Sequence, residues 1–262
     1  MVPDPKTIVG SRDRIAVLNL EGDVVEHAHP QAQVMIKIDG PDRLIVVAGR
    51  RYVLAEDTMI ILPPWVAHAG MATAAQSSSV LSINAGVPAR ATGAASRDTV
   101  VCKALDPRQR RTANEIRDRL VRGHSSVGDA DEMLESFSEA CSCGYDPSPN
   151  GTIDFRIRKV VDHISRAPAD AQSVAAWIDV AGLSRQHFFQ LFREYIGVTP
   201  RLYANSIRLE RALDRLSRST TPIHQLSQSL GFRAPSHFTR FFVDNFGSTP
   251  RAYRRGSYVV AD

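Results

Sequence analysis

The chain has 262 residues, 43% of them hydrophobic and 23% charged, a balance that suits one or two globular domains. It holds no run of 18 apolar residues, its first residues "MVPDPKTIVGSRDR" lack the segments of a secretory signal, and three cysteines do not make a disulfide framework. A soluble cytoplasmic protein with no membrane partner is the expectation. The net charge of +4 is unevenly shared: residues 1–150 carry 16 Lys/Arg against 19 Asp/Glu, and residues 151–262 carry 16 against 9. A basic rear half points to a polyanionic partner there, although 28 of the cations are Arg and only 4 are Lys, as plain arginine preference would also give.

From residue 15 to 85 the chain reads as short strands: "IAVLNL", "QVMIKIDG", "RLIVVAGR", "RYVLAED", "TMIILPP" and "SVLSINAG". Val and Ile are dense, and Gly, Asp or Pro interrupts each run, which predicts an all-β sandwich or barrel. Within it, "EHAHPQAQ" sets His27 and His29 two apart on one strand face with Gln33 four further on, and "LPPWVAHAG" later supplies His68. This H-x-H-x3-Q followed by P-x4-H resembles the cupin barrel, in which two His, an acid and a later His converge on a metal. Imidazoles suit a divalent transition metal. Gln33 stands at the acid's place, which weakens cation binding, and Asp57 stands where the second motif usually has glycine. Three readings of His27, His29 and His68 remain open: a small-molecule effector pocket walled by Gln33 and Trp65, a metal site, or structural side chains at the barrel mouth.

After Pro107 the period changes. "PRQRRTANEIRDRLVRG" and "DADEMLESFSEACSC" space Ile116 and Leu120, then Met133, Leu134 and Phe137, as helices do. These helices are expected either to dimerise the chain or to cap the barrel. Cys141 and Cys143 read as ordinary thiols or as a redox or metal sensor. "GYDPSPNGT" then gathers Gly, Pro, Ser and Asn, a linker signal.

The rear half repeats itself. At an offset of 50, His187-Phe188 matches His237-Phe238, and Phe192, Gly197, Thr199-Pro200-Arg201 and Tyr203 match Phe242, Gly247, Thr249-Pro250-Arg251 and Tyr253. Each copy reads as a short helix, a turn at glycine and a longer helix, the helix-turn-helix arrangement. Thr-Pro fits an N-cap followed by the first helical position. The phenylalanines share a core-facing side, and the polar letters between them face outward. Between the copies, "TPRLYANSIRLERALDRLS" predicts a helix of ~25 Å at 1.5 Å per residue. Such a strut suits two reading helices set ~34 Å apart, one turn of B-DNA.

On these residues, above all "LGFRAPSHFTRFFVDNFGSTPRAYR", the segment from about Ile157 to Arg255 resembles the DNA-binding domain of AraC/XylS-type transcription regulators. The resemblance implies two units whose helices 184–195 and 236–246 enter successive major grooves of double-stranded DNA. Carried over by position, the reading residues are Ser184, Arg185, Gln186, Gln190 and Arg193, then Pro235, Ser236, Thr239 and Arg240. Arg240 is the best placed for a guanine and Gln190 for an adenine. Arg201, Arg251, Arg254 and Arg255 grip phosphates or stay solvated. Ile178 replaces a usual alanine, and Val243-Asp244-Asn245 replaces usual basic residues.

The expected architecture is thus two-domain: residues 1–104 a cupin-like effector-binding barrel, 105–145 a helical dimerisation or capping segment, 146–152 a linker, and 153–262 an all-α DNA-binding domain with two helix-turn-helix units joined by a long helix. The expected function is a DNA-binding transcription regulator, an activator by resemblance, that answers a small-molecule effector, pairs as a homodimer and works with RNA polymerase. The rival is a metal-dependent cupin enzyme or metal sensor fused to a DNA-binding tail. An enzyme needs an open metal position and a catalytic acid or base. No Ser-His-Asp or Cys-His constellation stands out.

Overall fold

The computed structural model describes residues 5–9, 14–85, 100–122, 154–166 and 173–259. Its front half is β-rich, with strands β1 (Lys6–Val9), β2 (Arg14–Leu20), β3 (Val24–His27), β4 (Ala32–Asp39), β5 (Arg43–Val47), β6 (Arg50–Leu54), β7 (Thr58–Leu62), β8 (His68–Ala72), β9 (Ser78–Ala85) and β10 (Val101–Ala104). All six expected strands are present. β1, β3, β8, β10 and the last strand are additions; "HAGMA" in β8 has none of the β-branched or aromatic residues that mark a strand in sequence.

The strands form two sheets. One runs β3-β8-β5-β6, and the larger contains β10-β7-β4-β9-β2-β1 in that order. β7 reads "TMIIL" without alternation because both its faces are covered. Met59 and Ile61 join a core with Ile8, Ile15 and Leu81, whereas Ile60 and Leu62 join Ile45 and Leu54 of the smaller sheet. The first core is closed by helix α1 (Pro107–Arg122), whose Ile116 and Leu120 are each 1% exposed. These two residues therefore cap the β unit and are not free to form a dimer. Asp106 starts α1 as a capping box: its Oδ1 accepts from the Arg108 and Gln109 N–H groups at 2.8 Å, and Gln109 Oε1 accepts from the Asp106 N–H at 3.1 Å. Met133, Leu134, Phe137, Cys141, Cys143 and the expected linker lie outside the described residues.

The rear half is helical: α2 (Phe155–Arg166), α3 (Val174–Ala181), α4 (Arg185–Ile196), α5 (Pro200–Arg218), α6 (Ile223–Ser229), α7 (Pro235–Phe246) and α8 (Pro250–Gly256). Thr199 and Thr249 act alike, each hydroxyl accepting from the N–H three residues on, at 3.2 and 3.1 Å, with proline at the first helical position. The repeat reappears as ring geometry. Phe192 meets Tyr203 and Phe242 meets Tyr253, both at 5.7 Å between centroids and edge to face. Trp177, Phe188 and Phe192 fill the first helical core, and Phe238, Phe242 and Tyr253 the second. Ile178 packs half-buried against the first core.

The rear half also contributes a strand. After α8 the chain returns as β11 (Ser257–Val259), which pairs in parallel with β1 and extends the larger sheet. Gly256 makes this possible, because a Cβ there would stand 1.7 Å from the Pro5 carbonyl oxygen. The rear segment is therefore not wholly helical: its last described residues close on the first strand.

Candidate functional sites

A cavity inside the β unit collects the three histidines. His27 ends β3 and lies opposite His68, the first residue of β8. His29 follows β3 rather than sharing its face, and its carbonyl is held by the Trp65 N–H at 2.8 Å. The rings nevertheless meet: centroids are 4.3 Å apart for His27 and His68, 4.9 Å for His27 and His29, and 5.5 Å for His29 and His68. All three are buried, and one ring nitrogen from each lies within 4.8 Å of the others.

Hydrogen bonds fix the tautomers. His27 Nδ1 stands 2.8 Å from the Val25 carbonyl, His68 Nδ1 3.0 Å from the Val66 carbonyl, and His29 Nδ1 3.3 Å from Glu210 Oε1. Each partner only accepts, so each Nδ1 carries a proton. The Nε2 atoms of His29 and His68 are buried without a partner. Burial, then the neighbouring histidines, pushes the His27 imidazolium well below its ordinary range; burial and then His29 bring His68 down to about 3. His27 and His68 are thus neutral imidazoles, the form that ligates a metal.

Gln33 lines the same cavity. Its Nε2 donates to Ser82 Oγ at 3.1 Å, and its Oε1 is buried and unpartnered. Arg43, 1% exposed, donates to the carbonyls of Leu20 at 3.2 Å and Gly22 at 2.6 Å. The free space is about 50 Å³, and Asn245 and Phe246 of α7 help to line it. Trp65 does not line it. That residue stands in the turn before β8 at φ 61° and stacks on Tyr203 at 4.7 Å. Asp57 adopts φ 58°, the conformation for which the usual glycine is suited.

The outward faces of α4 and α7 carry the expected reading residues. Arg185, Gln186, Gln190 and Arg193 are exposed on α4, as are Pro235, Ser236 and Arg240 on α7, with Thr239 half-buried. Arg185 lies over the Phe189 ring at 5.3 Å, and the Arg240 side chain is 85% exposed with Asp244 at 4.0 Å. Ser184 and Pro235 serve the helices themselves: the Ser184 hydroxyl accepts from the His187 N–H at 3.4 Å, and Pro235 occupies the first turn of α7. Arg254 differs from the expectation. It donates to the carbonyls of Thr221 at 2.8 Å and Leu216 at 3.4 Å, so it ties the end of α5 to α8.

Residues 177–256 match the family model described as "Helix-turn-helix domain". This part of the rear unit is similar to helix-turn-helix domains. Relatives agree over this part of the chain. The RCS-specific transcriptional activator RclR of Escherichia coli is 35% identical over 99 residues, 38% of this chain and 35% of its own. The activator RhaS of Escherichia fergusonii is 30% identical over 103 residues, 39% of this chain and 37% of its own. The chain thus matches about a third of the length of these curated relatives, whose names describe regulators and not enzymes. Across nearly the whole chain, the fold is similar to unsaturated fatty acid-bound ToxT of Vibrio cholerae, with a TM-score of 0.61 at 13% identity over 93% of this chain and 95% of that one.

The rear helical unit touches the β unit through residues that sequence reasoning missed. Glu210 on α5 receives both Arg14 guanidinium nitrogens at 3.1 Å and faces His29. Burial opposes its ionisation, but Arg14 and then His29 outweigh burial and hold the carboxyl at about 2. Gly247, closing α7 at φ 76°, lies against Leu20, whose side chain would meet a Cβ at 2.4 Å. Arg208 is also buried, with its guanidinium over Phe232 at 4.7 Å and Phe241 at 5.9 Å; burial and Arg201 lower it to about 10.

Proposed function

We propose that this protein is a sequence-specific transcription regulator that binds double-stranded DNA through α4 and α7 and answers an effector held in the front cavity. The carrying observation is the division of labour within the two repeated helices. Phe188, Phe192, Phe238 and Phe242 are wholly buried, whereas Arg185, Gln186, Gln190, Ser236 and Arg240 stand exposed. Bidentate Arg and Gln side chains on such faces discriminate bases in a major groove, and the surrounding arginines supply phosphate attraction.

We read the β unit as a cupin-like barrel and the protein as an activator, a sign supported by the names of RclR and RhaS. An activator of this kind has RNA polymerase as its further partner. A homodimer, if formed, uses residues other than Ile116 and Leu120. The ToxT ligand is not carried over: organic-ligand pockets measure roughly 300–1,000 Å³, and the cavity here has about 50 Å³ of free space. It accommodates an ion with a few waters, or a ligand of very few atoms.

The test is binding of purified protein to DNA upstream of its own and neighbouring genes, against scrambled competitor at several salt concentrations. Retained preference for a site of about two helical turns supports the reading. Binding that ignores sequence and vanishes with salt overturns it.

A further inference from the structure

We infer that two copies of this chain associate through the outer face of the smaller sheet, about a two-fold axis parallel to its strands that sets Glu26 of each copy on Arg51 of the other. Strand pairing fixes which residues share that face. Leu44 of β5 stands opposite Val53 of β6 and Met71 of β8, and Val46 stands opposite Arg51 and Ala69. Opposed residues of an antiparallel pair project to the same side. The alternate residues Arg43, Ile45 and Leu54 are buried on the inner side. On β3, Val24 and His27 are buried and pair with Gly70 and His68, and a bulge leaves both Val25 and Glu26 between them on the outside.

This face is uncovered. Val25, Val53 and Met71 are 46%, 48% and 37% exposed, three of the five exposed large hydrophobic residues among those described, and they share one sheet surface rather than lying scattered. Leu44, Val46 and Ala69 fill the space between them, half-buried and outside every core cluster of the described residues. A contiguous apolar patch with a polar rim marks an interaction surface.

Charge selects a second copy as the occupant. The order β3-β8-β5-β6 puts β3 at one edge, where Asp23 and Glu26 are exposed, and β6 at the other, where Arg50 and Arg51 are exposed. Glu26 and Arg51 end the same cross-strand row, with Ala69 and Val46 between them. Three strand spacings, ~14 Å, keep the two from pairing within one copy. A two-fold axis along the strands reverses the strand order of the second copy, so the row meets itself end for end. Glu26 then faces Arg51 twice over, and Met71 meets Leu44. An axis across the strands would instead set Glu26 on Glu26 and Arg51 on Arg51. The face is thus complementary to itself in one orientation, as an isologous interface requires. Four strands of about five residues give it a footprint of roughly 300 Å², below the ~800 Å² per partner of a standard interface, so the pair is weak and depends on concentration. The inference goes beyond the regulator reading, in which such a pair brings four reading helices to one DNA.

The experiment is sedimentation equilibrium of the full chain, without DNA, from about 1 to 500 µM, the range of a weak pair. The native chain should pass from monomer to dimer within it. Met71→Lys puts a charge inside the apolar face and should weaken the dimer about ten-fold or more. Glu26→Arg and Arg51→Glu should each do the same, because each sets like charges together at both ends of the row. The double variant Glu26→Arg/Arg51→Glu should regain the native dimer, and so should an equimolar mixture of the two single variants. All these positions are exposed, so unfolding midpoints should stay unchanged. A native chain that is monomeric throughout overturns the pair. A dimer indifferent to Met71→Lys overturns the face. Single charge variants rescued neither by the double variant nor by mixing overturn the two-fold arrangement. No readout involves DNA, so failure here leaves the DNA-binding reading to its own test.

Discussion

Arg14 and Glu210 form a two-pronged ion pair across 196 residues of sequence: Nη1 meets Oε2 and Nη2 meets Oε1, both at 3.1 Å. The Arg14 side chain is 9% exposed and that of Glu210 18%, so water screens neither well. The pair joins β2 to the helix between the two repeated helical units, and its disruption should loosen the two halves of the molecule. Glu210→Ala strands the Arg14 charge and should destabilise the protein by roughly 3 kcal/mol, whereas Arg14→Met/Glu210→Leu should recover most of the loss. Urea titration of the three proteins checks the ordering. Equal loss in single and double variants would mean that packing, not charge, holds this junction.

Arg240→Ala should weaken binding to the preferred site by about 1–3 kcal/mol, the size of one bidentate base contact. Its side chain is 85% exposed, so the circular dichroism spectrum and unfolding midpoint should not move. A competition assay against sites altered at single base pairs would show relaxed discrimination at one position. Unchanged discrimination at every position removes Arg240 from the reading set.

Arg254→Ala should act on stability rather than on DNA. Its two carbonyl partners, at Leu216 and Thr221, lie where α5 ends, and their loss should cost about 1 kcal/mol. The salt dependence of DNA binding should keep its slope. A slope reduced by about one unit would instead identify Arg254 as a phosphate contact.

Trp65 offers a test of strain against stacking. Its ring stacks on Tyr203 at 4.7 Å, while its backbone sits at φ 61°, a region that disfavours every side chain but hydrogen. Both Trp65→Ala and Trp65→Gly remove the stack, yet Gly also relieves the backbone. Trp65→Gly should therefore be the more stable variant by about 1 kcal/mol in thermal unfolding. The opposite order would show that the turn holds no strain.

Local pattern made the rear domain legible. The buried phenylalanines, the closing glycines and the Thr-Pro caps act within a dozen residues of one another, so their spacing alone announces two helix-turn-helix units. Residue type also gathered His27, His29, Gln33 and His68, because H-x-H before a later histidine is a short pattern on strands that must curl together. Arg254 was misleading for the opposite reason. An arginine near a DNA-reading helix carries the same letter whether it faces a phosphate or a helix end.

The sequence by itself determined the β-then-α order, the repeat, the outward polar letters of α4 and α7, and the candidate histidines, since each depends on neighbours along the chain. Only the tertiary structure decided that Glu210 is the partner of Arg14 and His29, that Trp65 turns to Tyr203 rather than to the cavity, that α1 spends Ile116 and Leu120 on the sheet, and that β11 returns to β1. Those assignments are set by packing between segments up to 250 residues apart. Nothing in the local alphabet encodes such a distance; it appears only when burial leaves a charge, a ring or a strand edge with a single place to go.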